Sequence, residues 1–233
     1  MKFWWQSARA NPQQILRFAT KISFASQQLI DIIANMTEAV QIGAVDKNLD
    51  LHLEPVQLLA AAEVAENMLA FKSEHSIRVD IAPDLWVLGN PPRVRQVLTN
   101  LLENAAKYVL SESTTYVLAE KMMLAQVEPL LSADQVDHAY LLEHREMPVV
   151  LVRVKDQGQG IDPEDQLRIF EKFVRATRVV TTPVRGSGLG LYICRRFINA
   201  MSGKLWLEKS ILNEGSTFSF YLPYTEPPIG VGP

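Results

Sequence analysis

Asn100 and Asn104 stand four residues apart in the segment NLLENAAKY, so on a helix they share one face, with Lys107 close by. Leu101 and Leu102 turn away from that face towards a core. An asparagine carbonyl oxygen can complete the oxygen shell of a Mg2+ ion that draws its other ligands from phosphates and water. Surface amides on any helix would give the same spacing, so the neighbouring segments decide. One of these, Asp156-Gln157-Gly158-Gln159-Gly160-Ile161, follows a strand ending at Val154. A carboxylate fixed at a strand end can accept a hydrogen bond from an exocyclic amine such as that of adenine, and glycines let a ligand approach the backbone. The pattern occurs in many turns, and no parallel βαβ unit surrounds it, so it is not the dinucleotide-binding fingerprint. Another segment, Gly186-Ser187-Gly188-Leu189-Gly190-Leu191, leads into a helix, where backbone N–H groups can gather an anion. It lacks the Gly-Lys-Ser/Thr ending of a P-loop.

These segments need elements to hold them. Pro12, after the capping residue Asn11, opens a helix over residues 12 to about 44. Its apolar residues form two heptad series, Ile15, Ile22, Leu29, Met36 and Phe18, Ala25, Ile32, Ala39. Such a seam suits a helix pair or bundle across a dimer; the plainer alternative is one amphipathic helix lying on its own domain. Leu49–Leu53 alternates as a short strand, and a helix runs from Val56 to about His75. Ile77–Ile81, Trp86–Gly89 and Thr114–Leu118 read as strands, and Arg93 to about Val109 as a helix. Residues 110–148 form an insertion with a capping box at Ser132–Gln135. It reads as a tolerated surface insertion, with a partner-binding or regulatory element as the alternative. Val149–Val154 is a strand, Pro163–Phe173 and Leu189–Met201 are helices, and Lys204–Lys209 pairs with Thr217–Leu222 as a hairpin. This order implies an α+β fold, a two-layer sandwich with helices on one face of a mixed sheet.

The 233 residues include 23 basic and 26 acidic side chains, a net charge of -3, which argues against a nucleic-acid partner. The single cysteine, Cys194, excludes a disulfide framework and reads as a buried, inert thiol. No apolar run approaches the length of a membrane span, so no membrane contact is expected of this chain itself. A cytoplasmic location fits, and a membrane-anchored parent stays open.

NLLENAAKY resembles the asparagine box of sensor histidine kinases, DQGQGI their first glycine box and RGSGLGL the second. IFEKF at Ile169–Phe173 resembles the phenylalanine box, EGSTF the closing segment of the domain, and NPPRVRQVL the lead-in to the asparagine box. These motifs keep the family's order over about residues 49–223. The helix over 12–44, followed by LHLEPVQL, is similar to the second helix of the family's dimerisation domain and its junction. The resemblance implies a second dimerisation helix at 1–48, an ATP-binding catalytic domain at 49–225 and a flexible tail at 226–233. The fold implied is the Bergerat ATP-binding sandwich, shared with other GHKL ATPases, with ATP and Mg2+ as cofactors.

By match to the motifs, Asn104 would ligate Mg2+, Asn100 would line the phosphate side and Lys107 would contact phosphate, with Glu103 in the same catalytic group. Tyr108 would pack on the nucleotide and Asp156 would read the adenine amine. Gly158 and Gly160 would shape the pocket beside Ile161 and Phe170, and Thr217 would sit near the adenine end. Residues 175–187 would form a lid, with Gly186, Gly188 and Gly190 as hinge and phosphate contact, together with Ser187, Leu189 and Leu191. Arg185 is a phosphate candidate by charge and position. The implied activity is transfer of the ATP γ-phosphate to a histidine, for relay to the receiver domain of a response regulator. A homodimer through the N-terminal helix is implied as well.

One part of the family pattern is missing. The phosphoacceptor sits in a His-Glu/Asp-x-x-x-Pro pattern on an earlier helix, and no histidine precedes His52. His52, His75, His138 and His144 all lack those flanks. The chain is therefore expected to bind ATP without phosphorylating itself. Three rival readings stand beside the kinase. GHKL-type ATPases carry a glutamate base where Asn100 stands; an amide cannot take that proton, which leaves phosphoryl transfer by positioning and metal electrostatics. A serine-directed anti-sigma kinase usually lacks a heptad helix in front. A non-catalytic nucleotide-binding regulatory module is the third.

Overall fold

The computed structural model describes residues 11–44, 51–70, 75–108, 113–131, 136–174 and 187–230. The first element, α1 (Pro12–Ala44), is one continuous helix. Asn11 opens it by accepting the N–H of Gln13 on its Oδ1 at 3.0 Å. Ile15, Phe18, Ile22, Leu29 and Met36 remain exposed along it, so that part of the heptad seam is not buried on the rest of the chain. No helix among the described residues is long and apolar enough to cross a membrane.

Next come β1 (Glu54–Gln57), α2 (Leu58–Ala70), β2 (Ser76–Asp80), β3 (Trp86–Gly89), α3 (Pro91–Tyr108) and β4 (Thr114–Met123). The second half holds α4 (Leu124–Val127), α5 (His138–Glu143), β5 (Pro148–Lys155), α6 (Pro163–Gln166), α7 (Gly190–Ala200), β6 (Lys204–Ile211) and β7 (Gly215–Pro223). Five strands form one sheet in the order β2-β4-β5-β7-β6, and β1 and β3 form a separate antiparallel ribbon. Only the β2–β4 pair is parallel. A bridge between Val87 and Tyr224 ties the ribbon to the end of β7.

The sandwich expected from the sequence is present, with α2, α3 and α7 on one face of the sheet, and a second, smaller core covers part of the other face. Val150, Val152 and Val154 of β5 join Phe218, Phe220 and Leu222 of β7 beneath Leu58, Leu98, Leu101, Leu102, Ile193 and Phe197 of α2, α3 and α7. Val149 and Leu151 point the other way, towards Trp206 and Tyr221. There Leu124, Val127 and Leu141, all from the 110–148 insertion, close a second core. The uninterrupted apolar run Val149–Val152 is what burial on two faces requires of a strand. Leu124, Val127 and Leu141 of the insertion are therefore part of the packed domain.

Other departures have local causes. Leu51–Leu53 is not a strand, because pairing with β3 begins at Glu54. The helix expected to reach Phe173 ends after Gln166. Phe173 takes a positive φ of 65° and donates its N–H to the Gly188 carbonyl at 3.0 Å instead of to a helical turn. The capping box at Ser132–Gln135 lies outside the described residues; α5 is capped by Asp137, whose Oδ1 accepts from the Tyr140 N–H at 3.1 Å. Leu124→Ala should cost about 2–5 kcal/mol in urea unfolding, the usual range for emptying a buried leucine site. A cost under about 0.5 kcal/mol, typical of an exposed position, would mean that the insertion is not core.

Candidate functional site

Asp156 follows β5 and is 8% exposed. Its Oδ1 accepts two backbone N–H groups, from Gly158 at 2.8 Å and Ser216 at 3.2 Å. Its own N–H donates to the Ser216 carbonyl at 2.9 Å. Burial pushes the carboxyl pKa up, and the backbone donors pull it back by less. Both bonds fall on Oδ1, which leaves Oδ2 to meet a donor from outside. Two glycines make the arrangement possible. A Cβ on Gly158 would stand 2.5 Å from the Tyr108 carbonyl oxygen. Gly215 has a φ of 113°, and a Cβ there would stand 2.1 Å from the Asp156 carbonyl oxygen. The loop is stitched to the end of α3 by Gln159 N–H to Tyr108 O at 3.0 Å, and to the β6–β7 turn by Asn213 N–H to Gln159 O at 2.8 Å. Gly160 has a φ of 70° within the loop. Ile161 is half-buried and donates its N–H to Ser210 Oγ at 2.8 Å.

Thr217 lies at the start of β7, opposite Lys155. Phe218 and Phe220 face the helices, so strand alternation puts Thr217 on the opposite face with Ser219 and Tyr221. Its neighbour Ser216, buried at 5% exposure, is the residue at Asp156. The period of two around Phe218 is the sequence signal for this placement.

The asparagine-box residues lie on the last three turns of α3, which adjoins the Asp156 loop through Tyr108. Asn100 donates from Nδ2 to Cys194 Sγ at 3.5 Å, tying α3 to α7. Lys107 pairs with Glu103 at 3.7 Å. Asn104 is half-buried, and its amide makes no hydrogen bond to another described residue. At the other side, Ser187 Oγ accepts the Leu189 N–H at 3.3 Å, and Gly188 has a φ of 69°. Among the described residues, a Cβ on Gly190 would meet nothing within 4 Å.

Leu189 is fully buried, Leu191 packs on the main core, and Phe170 lies edge-on to Phe218 at 6.4 Å with the Arg195 guanidinium 5.0 Å above its ring. These three back the site from the core side. Arg185, Gly186 and the 175–186 part of the lid expected over 175–187 lie outside the described residues. Among the described residues no group of three or more His, Cys, Asp or Glu could cage a metal. The donors present fit a metal that arrives with phosphates and takes one amide oxygen from the protein.

A strand-end carboxylate with one oxygen open, amides on the adjoining helix and a glycine-led helix start are the groups this α+β sandwich offers to a ligand. Residues 89–226 match the family described as histidine kinase-, DNA gyrase B-, and HSP90-like ATPase, and the chain belongs to that family. It is 33% identical over 175 residues to the adaptive-response sensory kinase SasA of Gloeothece citriformis (strain PCC 7424), a match covering 74% of this chain and 37% of that protein. The mycobacterial sensor histidine kinase MprB shares the fold with a TM-score of 0.57 at 22% identity, over 76% of this chain and 100% of that one. Full-length ShkA, solved in complex with AMPPNP, gives a TM-score of 0.68 at 22% identity, over 93% of this chain and 40% of that one. The fold is thus the Bergerat sandwich, and the domain is the ATP-binding domain of the sensor histidine kinase type.

The raised pKa of Asp156 has two consequences of opposite sign. A carboxyl whose pKa rises on folding favours the fold below its ordinary pKa and loses that contribution as pH rises through the raised value. The charged form, however, is the better acceptor for an amine. Asp156→Asn keeps an Oδ1 for both backbone donors and should be at least as stable as the parent at neutral pH. It should lose about tenfold or more in ATP affinity, the worth of a hydrogen bond to a charged group. Parent affinity should fall on acidification above the ordinary carboxylate range, and the variant should lack that limb. Calorimetry across pH with thermal melts checks both, and unchanged affinity in the variant removes Asp156 from the site.

Proposed function

We propose that this chain is the catalytic part of a sensor histidine kinase. It binds ATP with Mg2+ and transfers the γ-phosphate to a histidine outside this chain, for relay to the receiver aspartate of a response regulator. The observation that carries the reading is Asp156, buried at the end of β5 with Oδ1 saturated by backbone donors beside the asparagine-box helix. Asp156 would take the adenine amine on Oδ2, with Tyr108 and Ile161 beside the base. Asn104 would offer its amide oxygen to Mg2+, which supplies charge neutralisation on the phosphates when bound. Lys107 can swing from Glu103 to phosphate, and Asn100, oriented by Cys194, would line the phosphate side. The start of α7 at Gly190 would receive a phosphate on its N–H groups. An amide at Asn100 takes no proton from water, which favours transfer over hydrolysis.

The domain plan we propose follows from this: a dimerisation helix over 1–48, the catalytic domain over 49–225 and a tail over 226–233. The exposed residues of the α1 seam, Ile15, Phe18, Ile22, Leu29 and Met36, support pairing with a second copy. A cytoplasmic setting goes with the reading. The histidines of the chain are otherwise placed. His75 bonds Thr115 at 2.8 Å, His144 stacks on Tyr140 at 4.2 Å, and His52 and His138 lie beside Glu54 and Glu128.

With radiolabelled ATP and Mg2+, the chain alone should bind nucleotide yet take up no acid-labile label. Adding a dimerisation domain that bears the phosphoacceptor histidine should yield label on that domain. Asn104→Ala should slow the transfer by about a hundredfold, the scale for losing one electrostatic contact to the transferring group. Label on one of this chain's own histidines, or absence of nucleotide binding in folded protein, would contradict the assignment.

A further inference from the structure

Ser210, on β6, lies outside every motif described above, yet its hydroxyl touches each arm that holds Asp156. Its Oγ accepts the Ile161 N–H at 2.8 Å and lies 2.9 Å from Ser216 Oγ and 3.5 Å from the Gly215 carbonyl oxygen. Ser216 gives its backbone N–H to Asp156 Oδ1. Ile161 closes the short loop that begins with the other donor, Gly158. Gln166 reinforces the same junction, donating from Nε2 to the Ile161 carbonyl at 2.9 Å and to the Ser210 carbonyl at 3.5 Å. One hydroxyl with two lone pairs and one hydrogen thus braces the loop after β5 and the start of β7 at once. Hydrogen bonds weaken steeply as they bend, so a small rotation of the carboxylate would turn Oδ2 away from a planar amine. Phosphate contacts at α3 and α7 lie on other elements and would not feel that rotation.

We infer that Ser210 is a positioning residue for base recognition, holding both backbone donors of Asp156 at the spacing that aims Oδ2 at the nucleotide amine. The inference rests on Asp156 reading that amine. The assay is calorimetric affinity for ATP and for inosine triphosphate, which carries a carbonyl in place of the amine. Ser210→Ala should narrow the preference for ATP by about tenfold, with inosine triphosphate affinity held within about twofold, as expected when one hydrogen bond to a charged group is misaligned. Ser210→Thr and Ser210→Val share a shape and differ by the hydroxyl; Thr should keep the preference and Val should lose it. Equal weakening of both nucleotides in Ser210→Ala, or a Val variant as selective as Thr, would overturn the inference. Asp156→Asn in the same assay separates the levels. Preference lost there but kept in Ser210→Val overturns the role of Ser210 alone. Preference kept in Asp156→Asn overturns the base-reading assignment beneath it.

Discussion

A carboxylate buried at the end of a strand must find donors, and Asp156 draws them from two distant parts of the chain. One is two residues away in its own turn, at Gly158; the other is the first stretch of β7, at Ser216. The second donor is available only if β7 lies beside β5 in the observed register, with Lys155 opposite Thr217. Glycine at 158 and 215 then becomes a steric requirement, because the Tyr108 and Asp156 carbonyl oxygens occupy the space a Cβ would take. The same turn receives the end of α3 through Tyr108, which brings Asn104 and Lys107 to the carboxylate's neighbourhood. One polar junction thus joins the Asp156 loop, the start of β7 and the end of α3.

The junction stands on a sheet that carries a packed core on each face. On the helix side, β5 and β7 bury a continuous apolar layer under α2, α3 and α7. On the other side, α4 and α5 cover Trp206 and Tyr221. Further along that outer face the layer turns polar. Arg153 pairs with Glu208 at 2.9 Å and with Glu120, and Ser219 donates to Glu208. A cation between two carboxylates can remain half-buried there because its charge is met on both sides. Burial of Tyr221 in the apolar part raises its phenol pKa well above the usual range.

The frame was readable in the sequence because local signals carried it. Heptad spacing placed α1, Pro91 and the Leu/Val face placed α3, and the glycine turns bracketed β5 and the hairpin. What failed depended on contacts far apart in the chain. The second core joins Leu124 and Leu141 to Trp206 and Tyr221, and no local period encodes that pairing. Phe173, expected on a helix, instead bonds to Gly188 across the chain. The alternation around Phe218 turns Thr217 to the outer face, while Ser216 meets Asp156 only through the β5–β7 register, which no local motif carries. Ser210 carried no signal at all, since a serine on an edge strand is ordinary until its partners are known.

The most direct test is a crystal structure of this chain with an ATP analogue and Mg2+. The account predicts the exocyclic amine of adenine at hydrogen-bond distance from Asp156 Oδ2, about 2.7–3.2 Å, while Oδ1 keeps the Gly158 and Ser216 N–H groups. Adenine bound elsewhere, or bound here with Asp156 turned away from it, would contradict the account.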